Sequence, residues 1–423
     1  MSMHKSRCTI TFTLLLAALA AGPLVGAVAA ADSVIDEANA HMEAARLDEA
    51  AAVLQAHLKE NEEDAQARFQ LGAVQFLQAI EHLAQSHYRY GLLQEASRQI
   101  PLLRIPVPPN PKPKKLTYRK ARQVLERFVN DLAVAEATLA RVDTSADCRL
   151  PLHIGRIRFD IDGDGNGSDI ETLWRMYRVV NAGVRQTDGE NFLIVFDAGD
   201  VRWLQGYCHL LSAMGDTALA YNWRELFERC AHLFYPNPAT PYPWLKEEKR
   251  SGSWDMRQIT DIIAFIHLIN FPVKEPERME SALHHLRAMI GLSRESWELI
   301  QAESDDDHEW LPNPRQTGVI PRVRVEQAMI DSWHEFLVEA EAMLAGEKLI
   351  PYWRGPRDEG SMPRGVNLHK VFTEPRRFDL VMWVQGTDAV PYLEEGQLSD
   401  PATWRRLQQV FRGQFIGFAI WFN

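Results

Sequence analysis

The chain has 423 residues, of which 46% are hydrophobic and 24% charged, the proportions of an ordinary globular protein with room for two or three domains. Its formal charge of −11 argues against nucleic acid as a partner, because neutralising phosphates requires a basic face. An acidic surface instead suits solubility and attraction of divalent cations.

Residues 1–31 read as a secretory signal peptide. Lys5 and Arg7 form the positive start, an apolar run extends from Ile10 to Ala21, and small residues follow over Gly26–Ala31. Ala27-x-Ala29 or Ala29-x-Ala31 supplies the cleavage signature. Cys8 precedes the apolar run, so it is not placed like the lipidated cysteine of a lipoprotein. The apolar run is short for a bilayer, and no later stretch reaches about 18 apolar residues. The expectation is an exported protein, periplasmic or secreted, with no transmembrane segment once the leader is removed. Cys148, Cys208 and Cys230 would then remain. An odd count in so large a chain is no disulfide framework. Cys208 could pair with Cys230 across a helix–turn–helix; buried free thiols are the favoured reading.

Residues 32–143 are rich in alanine and lack tryptophan, whereas all twelve tryptophans lie at or after Trp174. This shift divides the mature chain into a helical region at 32–100, a connector at 101–117, a helix at 118–145 and an aromatic-rich main domain at 146–423. In the first region Leu47-Asp48-Glu49-Ala50 with Val53, Leu54 and Leu58 marks one amphipathic helix. Ala67, Phe69, Leu71-Gly72 and Phe76 begin the next, after a polar turn at Asn61–Asp64. This spacing resembles a tetratricopeptide repeat, although the usual proline is missing and no third unit follows. The resemblance implies a helical hairpin that could offer a peptide groove, or that simply packs on the main domain.

Six prolines between Pro101 and Pro113 predict an extended, stiff connector. Val124, Leu125, Phe128, Leu132, Ala135 and Leu139 then share one helical face over Tyr118–Arg141. A strand is expected at Ile154–Ile161, a helix over Ser168–Val184 and a second strand at Phe192–Phe196. Helical pattern follows over Val201–Phe234, Trp254–Asn270, Glu277–Ile300, Val323–Ala345 and Ala402–Trp421, with a late strand at Phe378–Val384. The fold class is mainly α with a few strands (α+β).

The motif with the most chemical content is Asp160-Ile-Asp162-Gly-Asp164-Gly165-Asn166-Gly-Ser168-Asp-Ile-Glu171, of the form D-x-D-x-D-G-x5-E. A hard divalent ion such as Ca²⁺ takes six to eight oxygens at about 2.3–2.6 Å, and carboxylates at alternate positions converge when a loop winds around it. Over these twelve residues the chain resembles the EF-hand family. The resemblance implies side-chain ligation by Asp160, Asp162 and Asp164, a backbone carbonyl from Asn166, a water held by Ser168 and bidentate Glu171. Gly167 stands where a branched apolar residue usually pairs with a sister loop, and no second loop of this type occurs. A structural clamp is therefore favoured over a paired sensor. Ser168-x-x-Glu171 is also a capping box, so a metal-free acidic turn is the alternative; capping needs none of the three aspartates.

Asp197 and Asp200 follow the second strand, with His209 further along the same helical pattern. They are candidates for an acid–base or second metal site, or Asp200 simply caps the helix. The run Asp305-Asp306-Asp307-His308-Glu309 reads mainly as a solvated charge cluster. His284 and His285 are adjacent and should diverge on a helix. No GxSxG, HExxH, phosphate loop or dinucleotide fingerprint is present. The reading favoured is a calcium-stabilised binding or scaffold protein acting through protein partners. The alternative is a calcium-dependent enzyme or glycan-binding protein using a cleft in the aromatic-rich domain.

Overall fold

The computed structural model of the chain describes residues 22–94, 103–180, 185–247, 256–320, 324–354, 364–412, 415 and 419. The leader read at 1–31 lies outside these up to residue 21; residues 22–31 belong to the first helix, α1 (Gly22–Glu43). Among the described residues no helix is long and apolar enough to cross a membrane.

Helix α2 (Leu47–Glu60) packs between α1 and α3 (Ala65–Tyr90), and the polar turn expected before α3 forms. Asp64 caps α3 by accepting from the Ala67 amide at 2.9 Å. Helix α4 (Tyr118–Leu139) lies along α3 and begins where the apolar stripe predicts. Gly72 permits their close approach, since a Cβ there would stand 2.5 Å from Leu139 Cδ2. The described part of the proline-rich connector runs over the end of α3, where Asn110 Nδ2 donates to the Tyr88 carbonyl at 2.8 Å.

Strand β1 (Leu150–His153) pairs antiparallel with β2 (Leu193–Phe196), placing Leu150 opposite Phe196. The first strand thus lies ahead of the expected Ile154–Ile161. Ile157, Phe159 and Ile161 do alternate into the core, but their backbone serves the following loop. Phe159 N donates to the Glu171 carbonyl at 2.8 Å, and Leu173 N donates to that of Ile157 at 3.0 Å. Helix α5 (Leu173–Val180) likewise starts later than Ser168, capped by Thr172 Oγ1 accepting from Arg175 N at 3.2 Å.

The segment expected to be helical over Val201–Phe234 divides into α6 (Ala198–Ala220) and α7 (Arg224–Cys230). Short α8 (Trp244–Glu247) and α9 (Met256–His267) lead to α10 (Glu277–Ala302), which forms with α6 the most extensive helix pair. Buried Arg122 of α4 closes the end of α6, donating to the Leu219 and Tyr221 carbonyls at 2.8 and 2.9 Å, and pairs with Glu275 at 2.8 Å. A guanidinium there satisfies orphan carbonyls and complements the helix dipole.

Next come α11 (Gln327–Ala345), α12 (Leu368–Thr373), α13 (Leu380–Gln385) and α14 (Pro401–Val410). Strands β3 (Asn270–Phe271) and β6 (Phe378–Asp379) pair, and β4 (Ile350–Pro351), β5 (Arg364–Val366) and β7 (Leu393–Glu395) form a small antiparallel sheet. The late strand expected to reach Val384 stops at Asp379. Its Oδ1 accepts from Met382 N at 3.0 Å and starts α13 instead. The molecule is mainly α with a few short strands, as the sequence predicts.

One core joins α1–α4, the β1–β2 ribbon, Phe159, Ile161 and Trp174 to α6 as far as Cys208. A second joins the later part of α6 to α10 and α11 around Trp297 and Trp333. Helix α6 therefore runs through both. Cys148, Cys208 and Cys230 are buried free thiols, and burial pushes Cys230 up to about 11 and Cys148 up to about 12.

Candidate metal centre

The acidic loop winds through a chain of carboxylate–amide bonds. Asp160 accepts from Gly163 N at 2.9 Å through Oδ1 and from Gly165 N at 3.2 Å through Oδ2. Asp162 Oδ1 accepts from Asp164 N at 3.1 Å, and Asp164 Oδ1 from Asn166 N at 2.8 Å. Gly165 has φ +85°, a left-handed conformation costing other residues roughly 1–2 kcal/mol, which accounts for glycine at position six. The winding brings one oxygen each from Asp160, Asp162 and Asp164 within 4.8 Å of one another. Burial, then the charges of Glu171, Asp164 and Asp160, hold Asp162 above its ordinary range against the opposing Asp164 amide bond. Among the described residues no Lys or Arg pairs with these three; nearby Arg158 pairs with Asp169 at 3.3 Å. The donor set fits a hard divalent ion such as Ca²⁺, which prefers carboxylate oxygen.

Glu171 is placed differently from the three aspartates. Its Oε1 accepts from Ile161 N and Asp162 N at 3.0 and 3.2 Å, and its Oε2 from Ser168 N and Oγ at 3.0 and 2.5 Å. It is 2% exposed and ties both ends of the loop together. Asn166 Nδ2 donates to the Asp164 carbonyl at 3.4 Å, and Ser168 Oγ is engaged with Glu171. Ser168-x-x-Glu171 closes the loop rather than starting a helix, because α5 begins at Leu173.

The loop is fixed to the helical hairpin by contacts that sequence spacing did not reveal. Glu81 Oε1 of α3 accepts from Asp160 N at 2.7 Å, and Gln85 Nε2 donates to the Asp160 carbonyl at 2.8 Å. Arg158 N donates to the Met42 carbonyl of α1 at 3.1 Å. Burial, opposed by the Asp160 amide bond, pushes Glu81 up to about 7. The sequence signal was two polar side chains four positions apart on a largely buried helix.

The weaker constellations resolve into two groups. Asp197, not Asp200, caps α6: its Oδ1 accepts from Gly199 N at 2.9 Å, while Asp200 Oδ2 accepts from Asp197 N at 3.2 Å. Glu303 and Glu309 join this end, and single oxygens of Asp197, Glu303 and Glu309 lie within 4.8 Å of one another. Burial and the Asp197 charge push Glu303 up to about 9, and burial pushes Glu309 up to about 7. Asp305, Asp306 and His308 are exposed, as expected of the charge run, whereas Glu309 is 4% exposed.

His209 does not join the carboxylates. Its Nδ1 meets His285 Nδ1 at 2.7 Å, and its Nε2 lies 3.4 Å from Glu136. His284 and His285, expected to diverge, both lie against His209 of α6, with ring centroids 6.5 and 5.0 Å from it, and His285 makes the hydrogen-bond-distance contact. Of the tryptophans, Trp174, Trp297 and Trp333 are buried, while Trp244 and Trp353 are exposed. Compared with known proteins, the chain matches no protein-family model, no curated protein and no solved structure.

Proposed function

We propose that the chain is an exported calcium-binding protein that serves as a binding or scaffold module through protein contacts. The observation that carries the calcium reading is the convergence of Asp160, Asp162 and Asp164 within 4.8 Å, wound by their own amide bonds. Mutual repulsion of these carboxylates disfavours the loop without a cation, and a divalent charge relieves it. The ion would hold the loop against α3 as a clamp. The tetratricopeptide-like reading of the hairpin supports protein contact. So does an apolar surface on α9 and neighbouring α13, where Ile259, Ile263, Ile266, Met382 and Val384 are exposed. Burial of three tryptophans gives less support to the enzyme or glycan alternative.

Calorimetry on wild type, Asp160→Ala and Glu171→Gln tests the calcium reading. The loop site should bind with a Kd of about 10⁻⁴–10⁻³ M. Equal heats for all three proteins would sink it. A photo-crosslinker at Ile263 tests the contact reading against one at exposed Glu62; identical adduct patterns from both positions would remove that surface from consideration.

A further inference from the structure

We propose that Asp197, Glu303 and Glu309, backed by Asp200, form a second binding site for a hard divalent cation, separate from the Asp160–Glu171 loop. Three parts of the chain meet there. The first is the junction of β2 with α6, carrying Asp197 and Asp200. The second is the end of α10, where Glu303 is the residue after the last helical turn. The third is the segment ending at Glu309, held beside β2 because Val195 N donates to the His308 carbonyl at 3.3 Å.

A carboxylate at the start of α6 is well placed on dipole grounds, and Asp197 and Asp200 form a reciprocal cap. That accounts for two of the four acids. Glu303 stands at the negative end of α10, where the helix dipole disfavours an anion. Asn313 and Arg315 already satisfy the carbonyls there: Asn313 Nδ2 donates to Ile300 O at 2.9 Å and Arg315 Nη2 to Glu303 O at 2.8 Å. Glu303 Oε2 accepts from Gln316 Nε2 at 3.1 Å, and its carboxyl otherwise meets Asp197, a second acid with which it must share a proton unless a cation stands between them. Glu303 Oε1 and Asp197 Oδ1 flank Gly199 at 3.3 and 3.4 Å from where a Cβ would stand.

Asp200 supplies the independent observation. It is 4% exposed, its Oδ1 is buried without a partner among the described residues, and Asp197, Glu303 and Glu309 are the charges that act on it. A buried carboxylate oxygen left unpaired is costly, and four acids together multiply that cost. The nearby arginines are engaged elsewhere: Arg202 with Glu295 at 3.3 Å, and Arg149 with Asp307. Among the described residues no Lys or Arg pairs with any of the four. An all-carboxylate set selects Ca²⁺, Mg²⁺ or Mn²⁺ over the softer metals.

The test is metal stoichiometry on the full chain by equilibrium dialysis, with Ca²⁺, Mg²⁺ and Mn²⁺ each used alone. Wild type should bind two equivalents of at least one of these ions. Asp162→Asn/Asp164→Asn should retain one, and Glu303→Gln/Glu309→Gln should lose one, or weaken it at least tenfold. Glu303→Gln alone serves should the double variant not fold. With metal chelated, Glu303→Gln should melt no lower than wild type, because a neutral carboxamide can stand beside Asp197 without needing a shared proton. The proposal is overturned if the Glu303 variants bind all three ions as wild type does, or if the Asp162/Asp164 variant binds none. It is equally overturned if Glu303→Gln destabilises the chelated protein without changing stoichiometry, the signature of a shared proton only. One equivalent in wild type, lost on changing Glu303 and retained on changing Asp162 and Asp164, would sink the loop reading and leave this one standing.

Discussion

Replacing Asp162 by asparagine separates the charge of the loop from its shape. The introduced carboxamide would keep an Oδ1 able to accept from Asp164 N, the 3.1 Å bond that helps wind the turn. The change removes two of the three repulsive pairs among carboxylate oxygens lying within 4.8 Å. In a water-like medium each pair costs about 0.9 kcal/mol at that separation, less with salt screening. The metal-free variant should therefore be more stable than metal-free wild type by about 1–2 kcal/mol. Calcium reverses the order. At about 10 mM Ca²⁺ and a Kd between about 10⁻⁴ and 10⁻³ M, ligation adds about 1.4–2.7 kcal/mol to wild type and little to the variant. Melting curves in chelator and in calcium read both halves. The variant should melt a few degrees higher without calcium and lose the part of the calcium-induced rise that the loop supplies. A variant that melts lower than wild type in chelator, with an undiminished calcium response, would refute the account of the loop as a repulsive cage relieved by a cation.

Three further outcomes follow from named contacts. Gly165→Ala meets no atom within 4 Å but forces alanine to φ +85°, so it should cost about 1–2 kcal/mol and weaken calcium binding; unchanged melting would contradict the left-handed turn. Glu81→Ala leaves the Asp160 amide without its 2.7 Å acceptor and should cost about 1–3 kcal/mol, with faster hydrogen exchange over 160–171; Glu81→Gln should be milder. Burial, then the charge of His209, lowers His285 below 6.5, with Asp216 and Glu136 opposing and His284 assisting. Below pH 6.5 the unfolded chain therefore takes up a proton sooner than the folded one. Stability should be full above that pH and fall as the solution is acidified. His285→Gln should flatten the decline below pH 6.5, and an unaltered pH profile would assign the loss elsewhere.

Local chemistry was legible in the sequence wherever it is contained within one turn or one helix. The winding of Asp160, Asp162 and Asp164 and the turn at Gly165 depend on neighbours within twelve residues, so the motif predicts them. The apolar stripes of α3, α4, α10 and α11 likewise place those helices, because a 3.6-residue period needs only its own segment. Contacts across sequence were not legible. Glu81 meets Asp160, Asp197 meets Glu303, and His209 meets His285 only after α3, α6 and α10 have packed. Where local signals compete, side-chain capping outweighed pattern: Asp379 turns an apparent strand into α13, and Thr172 delays α5 beyond Ser168.

The surroundings of the loop bear on what an ion there could do. A calcium sensor needs an element with two arrangements that the ion can bias. Here the chain before and after the loop is joined by backbone bonds between Phe159 and Glu171 and between Leu173 and Ile157. Glu81 and Gln85 grip Asp160 from α3, and α5 is pinned by Trp174, which is 1% exposed. With both flanks held, ligation would change how often this segment opens and leave its direction unchanged. Hydrogen exchange should therefore show protection rising with calcium over 160–180, with any further rise confined to the chain around Asp197, Glu303 and Glu309. A distance between spin labels on α1 and α10 should remain constant. A calcium-dependent change in that distance would restore the sensor reading and require a hinge that these contacts do not provide.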